Sequence, residues 1–238
     1  MKNLLSVKSE NLNKRKIFSL MLNLLVFVFS VLGVFFACLH AQRDGYSSWH
    51  KRLLYFTQLS NIWMGATCLI AVIFSYVQVN EKTLKCLFVV KYVFTVSITI
   101  TGIVFCTLLA PFADFDVWTF SSILTHVVVP MLAIVDFFVC DAQDVISFKQ
   151  TFLPLIPPAI YFVFASILSF FKVDFGRGDA YPYFFLNLNS EVGLFGFIGG
   201  WTPQIGTFYW IAFLMFFIYG LAFLYYKLHN KKVLRKSN

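Results

Sequence analysis

Residues 17–40 read IFSLMLNLLVFVFSVLGVFFACLH, 24 residues without a single Asp, Glu, Lys or Arg. About 20 apolar residues are enough for a helix to cross the hydrocarbon core of a bilayer. The apolar core of a cleavable signal peptide is shorter, roughly 7–15 residues. The stretch runs into His40-Ala41-Gln42 and offers no small-x-small cleavage site. It reads as an uncleaved first membrane span. Five further apolar stretches of similar length follow, at about 53–78, 86–110, 118–140, 152–171 and 207–226. A bilayer core contains no water to satisfy open backbone groups, so each stretch is expected to be a helix. The alternation Thr95, Ser97, Thr99, Thr101 imitates a strand, but it lies inside the apolar run 86–110. Length decides for a helix.

Composition agrees. The 238 residues are 59% hydrophobic and 13% charged, against about 45–50% and 25% in a soluble domain. A soluble fold of this length could not hide so much apolar surface. That excludes an ordinary cytosolic enzyme, a disordered tail and a disulfide-stapled secreted module. The expected fold is all-α, an integral membrane bundle of six transmembrane helices over 17–226. A basic tail at 1–16 and another at 227–238 flank it.

The net charge of +8 sorts by side. Lys and Arg number 13 in the two tails and the loops 79–85 and 141–151, but 5 in the loops 41–52, 111–117 and 172–206. Basic residues accumulate on the cytoplasmic side, so both termini are expected to be cytoplasmic in a multi-pass protein of the cell membrane. Trp49, Trp118, Trp201 and Trp210 fall on or beside the opposite loops, where an interfacial aromatic belt belongs. The basic tails suit anionic membrane lipid rather than nucleic acid, since no stacking groove or basic fold motif accompanies them. The long segment 172–206 reads either as a cap over the bundle or as a plain external loop. It holds Gly176-Arg177-Gly178-Asp179, Tyr181-Pro182-Tyr183 and Gly199-Gly200-Trp201-Thr202-Pro203. Its apolar piece 192–199 is too short to span.

Cys38, Cys68, Cys86, Cys106 and Cys140 are odd in number and lack CxxC spacing, which indicates neither a disulfide framework nor a zinc site. They read as small hydrophobes in helix packing. No metal and no cofactor is expected, since zinc, phosphate-loop and dinucleotide motifs are all missing.

The few polar residues within spans carry the functional signal. Thr57, Ser60 and Asn61 stand at i, i+3 and i+4 and share one helix face, as do Ser122, Thr125 and His126. At ~1.5 Å per residue both faces lie roughly 8–12 Å below the external interface. A common pocket in the outer half of the bilayer follows, and an ionisable group such as His126 within a span usually marks function. Asn61 and Ser122, with Ser60 beside them, are the candidate substrate or oxyanion groups. Pro130 lacks the N–H that would bond the His126 carbonyl, so the helix is expected to kink there and leave that carbonyl free. Nearer the cytoplasm, Lys91 and Asp136 share a depth and are expected to form an ion pair or a proton relay. Lys91, Thr95, Thr99, Gly102 and Cys106 form one stripe, read as a close-packing seam.

Leu54-Tyr55-Phe56-Thr57-Gln58-Leu59-Ser60-Asn61, His126-Val127-Val128-Val129-Pro130 and Tyr181-Pro182-Tyr183-Phe184 occur in that order along the chain. Together they resemble the bacterial six-span relatives of the androgen-induced, FAR-type integral membrane proteins, over about 17–226. Eukaryotic members of that family are threonine hydrolases of esters between fatty acids and hydroxy fatty acids. The resemblance implies Thr57 as nucleophile, His126 as its general base and a lipid ester as substrate. Two other readings of the same polar faces stand beside it: a small-solute transporter, and a non-catalytic membrane scaffold or partner protein.

Overall fold

A computed structural model describes the backbone of residues 2–113, 116–139, 144–199 and 204–237, and the side chains of 14–113, 116–139, 144–199 and 204–235. Six helices are long and apolar enough to cross a membrane: α1 Lys14–Leu39, α2 Phe56–Tyr76, α3 Glu81–Phe112, α4 Phe120–Val139, α5 Phe148–Phe170 and α6 Thr207–Arg235. Their outer surface is studded with large exposed apolar side chains, Phe35, Ile160, Phe170 and Phe216 among them. A water-facing surface does not carry such a continuous apolar coat. The chain is an integral, multi-pass membrane protein with an all-α six-helix architecture.

The helices outrun the apolar stretches. Helical backbone begins at Lys2 and, at the other end, continues to Ser237, so the basic tails prolong α1 and α6. One consequence escapes hydropathy reading altogether. His229, which composition assigns to a solvated tail, is fully buried against Phe88 and Phe137, with Nε2 2.8 Å from the Asp144 carbonyl.

Four helices close a ring in which α1 touches α2 and α4, and α3 touches the same two; the α5–α6 pair packs on the far side of α3. Helix α3 is therefore central, 56% buried over its most apolar window against 22–39% for the others. Its hydroxyl-rich sequence suits that position. Thr95, Ser97, Thr99 and Thr101 each donate to the carbonyl four residues back, at 2.7–3.0 Å. The strand-like alternation is thus absorbed within the helix, and no polar proton is left facing apolar neighbours.

Close approach between α3 and α4 depends on Gly102. A Cβ there would lie 2.6 Å from the His126 carbonyl oxygen and 3.4 Å from the Pro130 ring. The carbonyl that Pro130 cannot bond is therefore packed against bare backbone. Rather than a simple proline kink, α4 contains a π-helical turn over Leu124–Val128, where the Val129 N–H reaches back five residues to Leu124. A second π turn, Phe105–Leu109, lies opposite in α3. Each inserts extra backbone and shifts the phase of the residues beyond it. The expected stripe holds through Lys91, Thr95, Thr99 and Gly102, which are buried, and then breaks: Phe105 faces inward and Cys106 outward. Of the cysteines, Cys68 is buried and Cys86 is exposed like Cys106; Cys140 lies outside the described residues.

The segment 172–199 folds down as a cap. Phe175, Phe185 and Leu186 are buried against Tyr161, Phe162 and Leu214, and a two-residue ribbon pairs Phe197 with Ile205. Residues 200–203, including Trp201, lie outside the described set. The cap is tied to the 41–54 loop. Tyr46 is sandwiched between the Arg52 and Arg177 guanidinium groups, 4.1 and 4.6 Å from its centroid. Arg52 pairs with Asp44, whose carbonyl accepts from Arg177 at 2.9 Å. Gly176, at φ +117°, turns tightly against Tyr46, leaving no room for a Cβ.

Asp174 organises this turn. Its Oδ1 accepts from the Gly176 and Gly178 amides at 2.6 and 2.9 Å, and its Oδ2 from Ser47 at 3.2 Å. Burial pushes the carboxyl up, but those donors together with Lys51 outweigh it and hold the group below its usual range. A depressed carboxylate contributes stability above its ordinary pKa and loses it as pH falls through the lowered value. Hydrogen-exchange protection across 172–186 is therefore expected to decline as pH drops below about 4. Asp174→Asn should remove that step. An identical acid response in the variant would assign the loosening to other groups.

Candidate active site

Helix α2 begins at Phe56, placing Thr57 in its first turn, and Thr57 is 7% exposed. His126 sits in the π turn of α4. The two side chains meet, with Thr57 Oγ1 3.2 Å from His126 Nε2.

The ring's other nitrogen settles which way the proton points. His126 Nδ1 lies 3.0 Å from the Ser122 carbonyl oxygen, which can only accept. It also lies 3.2 Å from Thr125 Oγ1, whose own proton goes to the Ser121 carbonyl at 2.9 Å. Nδ1 must then carry the proton, which leaves an Nε2 lone pair toward the Thr57 hydroxyl. The imidazole is clamped by Phe105, stacked at 3.7 Å between centroids and 17° between planes. Phe105 ends the regular part of α3, its N–H bonding back to Thr101, and the π turn follows from it. The π turns of α3 and α4 thus both lie beside this Thr–His pair, a frequent placement for π turns at functional sites.

The remaining expected site residues support this pair from behind. Ser60 donates to the Thr57 carbonyl at 3.0 Å and lies 2.9 Å from Thr101 Oγ1. Asn61 Nδ2 donates to the Thr57 carbonyl at 2.8 Å and to the Thr125 carbonyl at 3.1 Å, joining the two helices that carry the pair. The Ser122 hydroxyl accepts from Thr119 at 3.1 Å; it is the Ser122 backbone that reaches His126. Ser60 and Asn61 thus fix the backbone of Thr57, and Ser122 orients the imidazole.

Lys91 and Asp136 form a separate buried ion pair at 2.5 Å, 4% and 0% exposed. Ser19 donates to the other Asp136 oxygen at 3.0 Å, and Asn23 braces Ser19. Ten residues of α4, about 15 Å of helix rise, separate Asp136 from His126.

Beside Thr57 lies a narrow cavity of about 50 Å³ with an almost wholly apolar wall, including Ile100, Val104, Phe162, Leu214 and Ile218. Tyr161 and Tyr183 line it at the Thr57 end. Tyr183 comes from the cap, meets Tyr55 edge-on at 5.7 Å and lines the cavity together with Thr57. Burial pushes its pKa up to about 12, so it holds its proton throughout the physiological range. Sequence reading noted Tyr181-Pro182-Tyr183 but gave no sign that the loop returns to α2. A second apolar groove, between α5 and α6, is lined by Phe162, Val163, Ile167 and Met215, so Phe162 borders both spaces. No family model, curated protein or solved structure matches the chain.

Proposed function

We propose that this membrane protein is a hydrolase of fatty-acyl esters, with Thr57 as nucleophile and His126 as general base. The observation that carries the reading is the 3.2 Å contact from Thr57 Oγ1 to an Nε2 whose ring is oriented through Nδ1. A threonine hydroxyl is a weak nucleophile until an adjacent base takes its proton. In the first step Thr57 Oγ bonds to the ester carbonyl carbon and its proton moves to Nε2. The carbonyl electron pair shifts to oxygen. As the intermediate collapses, the C–O bond to the alcohol breaks and the alcohol leaves with the Nε2 proton. Water then repeats the sequence on the acyl-threonine, releasing the fatty acid and restoring the pair. The Ser122 carbonyl, at Nδ1–H, stabilises the imidazolium formed in each half.

The apolar lining beside Thr57 supports an acyl group rather than a polar one at the site, and the resemblance to FAR-type threonine hydrolases supports the same chemistry. The excess of Lys and Arg on the side of the termini supports a cell-membrane orientation with those termini cytoplasmic and the site in the outer half of the bilayer. The test is fluorophosphonate labelling of the detergent-purified protein, with turnover of p-nitrophenyl acyl esters. Labelling and turnover that persist in both Thr57→Ala and His126→Ala overturn the proposal.

Phe162 stands between the cavity and the groove that faces lipid, the natural lateral entry for a chain dissolved in the bilayer. Phe162→Trp is expected to lower kcat/KM for long acyl esters about tenfold while sparing short ones, in line with 1–3 kcal/mol for a changed apolar fit. A uniform loss across chain lengths would remove Phe162 from the entry path.

A further inference from the structure

The tetrahedral intermediate places negative charge on the former carbonyl oxygen, and hydrolysis needs donors aimed there. Ser60 and Asn61 give their protons to the Thr57 and Thr125 carbonyls, and Ser122, which accepts from Thr119, does not line the cavity. Two groups remain at the reacting oxygen. One is the Thr57 amide, which lies in the first turn of α2 and has no carbonyl of its own helix to bond. The other is the Tyr183 hydroxyl, from a side chain on the wall of the cavity that Thr57 also lines.

The tyrosine is held in place. Its ring stacks on Phe185 at 5.1 Å and 11°, meets Tyr55 edge-on at 5.7 Å, and follows the buried Pro182. Tyr161, its ring centroid 6.4 Å away, gives its own proton to the Leu54 carbonyl at 3.1 Å. The Tyr183 O–H is thus a donor on a packed ring at the cavity wall, and an oxyanion is a strong acceptor for it.

We infer that Tyr183, carried to α2 by the cap, is a catalytic oxyanion donor that acts together with the Thr57 amide. The inference rests on the hydrolase reading. As Thr57 Oγ bonds to the carbonyl carbon and its proton passes to His126 Nε2, the new oxyanion accepts hydrogen bonds from Tyr183 O–H and Thr57 N–H. On collapse those bonds relax, the carbonyl re-forms and the alcohol departs with the Nε2 proton. Tyr183 keeps its proton throughout.

The experiment compares wild type, Tyr183→Phe, Thr57→Ala and His126→Ala in ester turnover and in the rate of fluorophosphonate labelling. Phenylalanine keeps the stacking on Phe185 and Tyr55 and removes only the hydroxyl. The expected result is a fall in kcat of about 10²–10³-fold with KM unchanged, as for loss of one oxyanion donor elsewhere. Labelling should slow in parallel, because the phosphoryl oxygen occupies the same place. Wild-type kcat in Tyr183→Phe, or a change confined to KM, overturns the inference while leaving Thr57 and His126 in place. Activity surviving Thr57→Ala and His126→Ala, or an inert wild type, overturns the hydrolase reading and this inference with it. Should Tyr183→Phe fail to fold, 3,5-difluorotyrosine at position 183 retains the hydroxyl and makes it a stronger donor. An altered kcat at constant KM then supports the role, and an unaltered one rejects it.

Discussion

Thr57→Ala and His126→Ala should each reduce ester turnover by about 10³–10⁴-fold or more, and the double variant should be little worse than either. Residues that act as a unit lose nearly everything at the first removal, so their effects do not add. The geometry predicts the same pattern here. Without Thr57 no oxygen lies at Nε2, and without His126 the Thr57 proton has no acceptor at 3.2 Å. Thr57→Ser provides the complementary check, since it keeps the hydroxyl and should retain turnover well above Thr57→Ala. Folding should survive in all of these, because Ser60 and Asn61 hold the backbone carbonyl of residue 57 rather than its side chain. Additive losses in the double variant would mean that the two residues act independently.

The second large effect concerns stability. Removing one partner of the buried pair, by Lys91→Ala or Asp136→Ala, should destabilise the protein by about 3–5 kcal/mol, because an uncompensated charge is left inside the bundle. Replacing both, Lys91→Met with Asp136→Leu, should recover most of the loss, since apolar residues of similar volume need no partner. Thermal unfolding in detergent would read both. Asp136→Asn is expected to fall between, as it can still accept from Ser19. Turnover of folded protein should track none of these changes, since Asp136 and His126 lie about 15 Å apart along α4. Turnover that vanished in a folded double variant would instead make the pair part of the chemistry, as a proton relay requires.

The part of this site that could be read from residues is the part that helical periodicity controls. Spacing at i, i+3 and i+4 placed Thr57, Ser60 and Asn61 on one face. Depth counted from the interfaces brought Thr57 level with His126 and Lys91 level with Asp136. Those inferences need only a rise per residue and a bilayer thickness. The roles within the cluster were not legible in the same way. Ser122 appears as a hydroxyl in sequence, yet its backbone carbonyl meets the imidazole, and which atom of a residue is used depends on the local turn.

From sequence alone came six helices and their apolar spans, though not their prolongation through the tails, an all-α membrane fold and two polar faces at one depth. Each follows from short-range rules: apolar runs long enough to span, and side chains repeating with the helical turn. Only the tertiary structure decided that Phe105 rather than Cys106 faces His126, that His229 is buried, and that Tyr183 returns from the cap to the cavity beside Thr57. Those outcomes depend on how helices and loops pack across the bundle, where contacts distant in sequence override the local period.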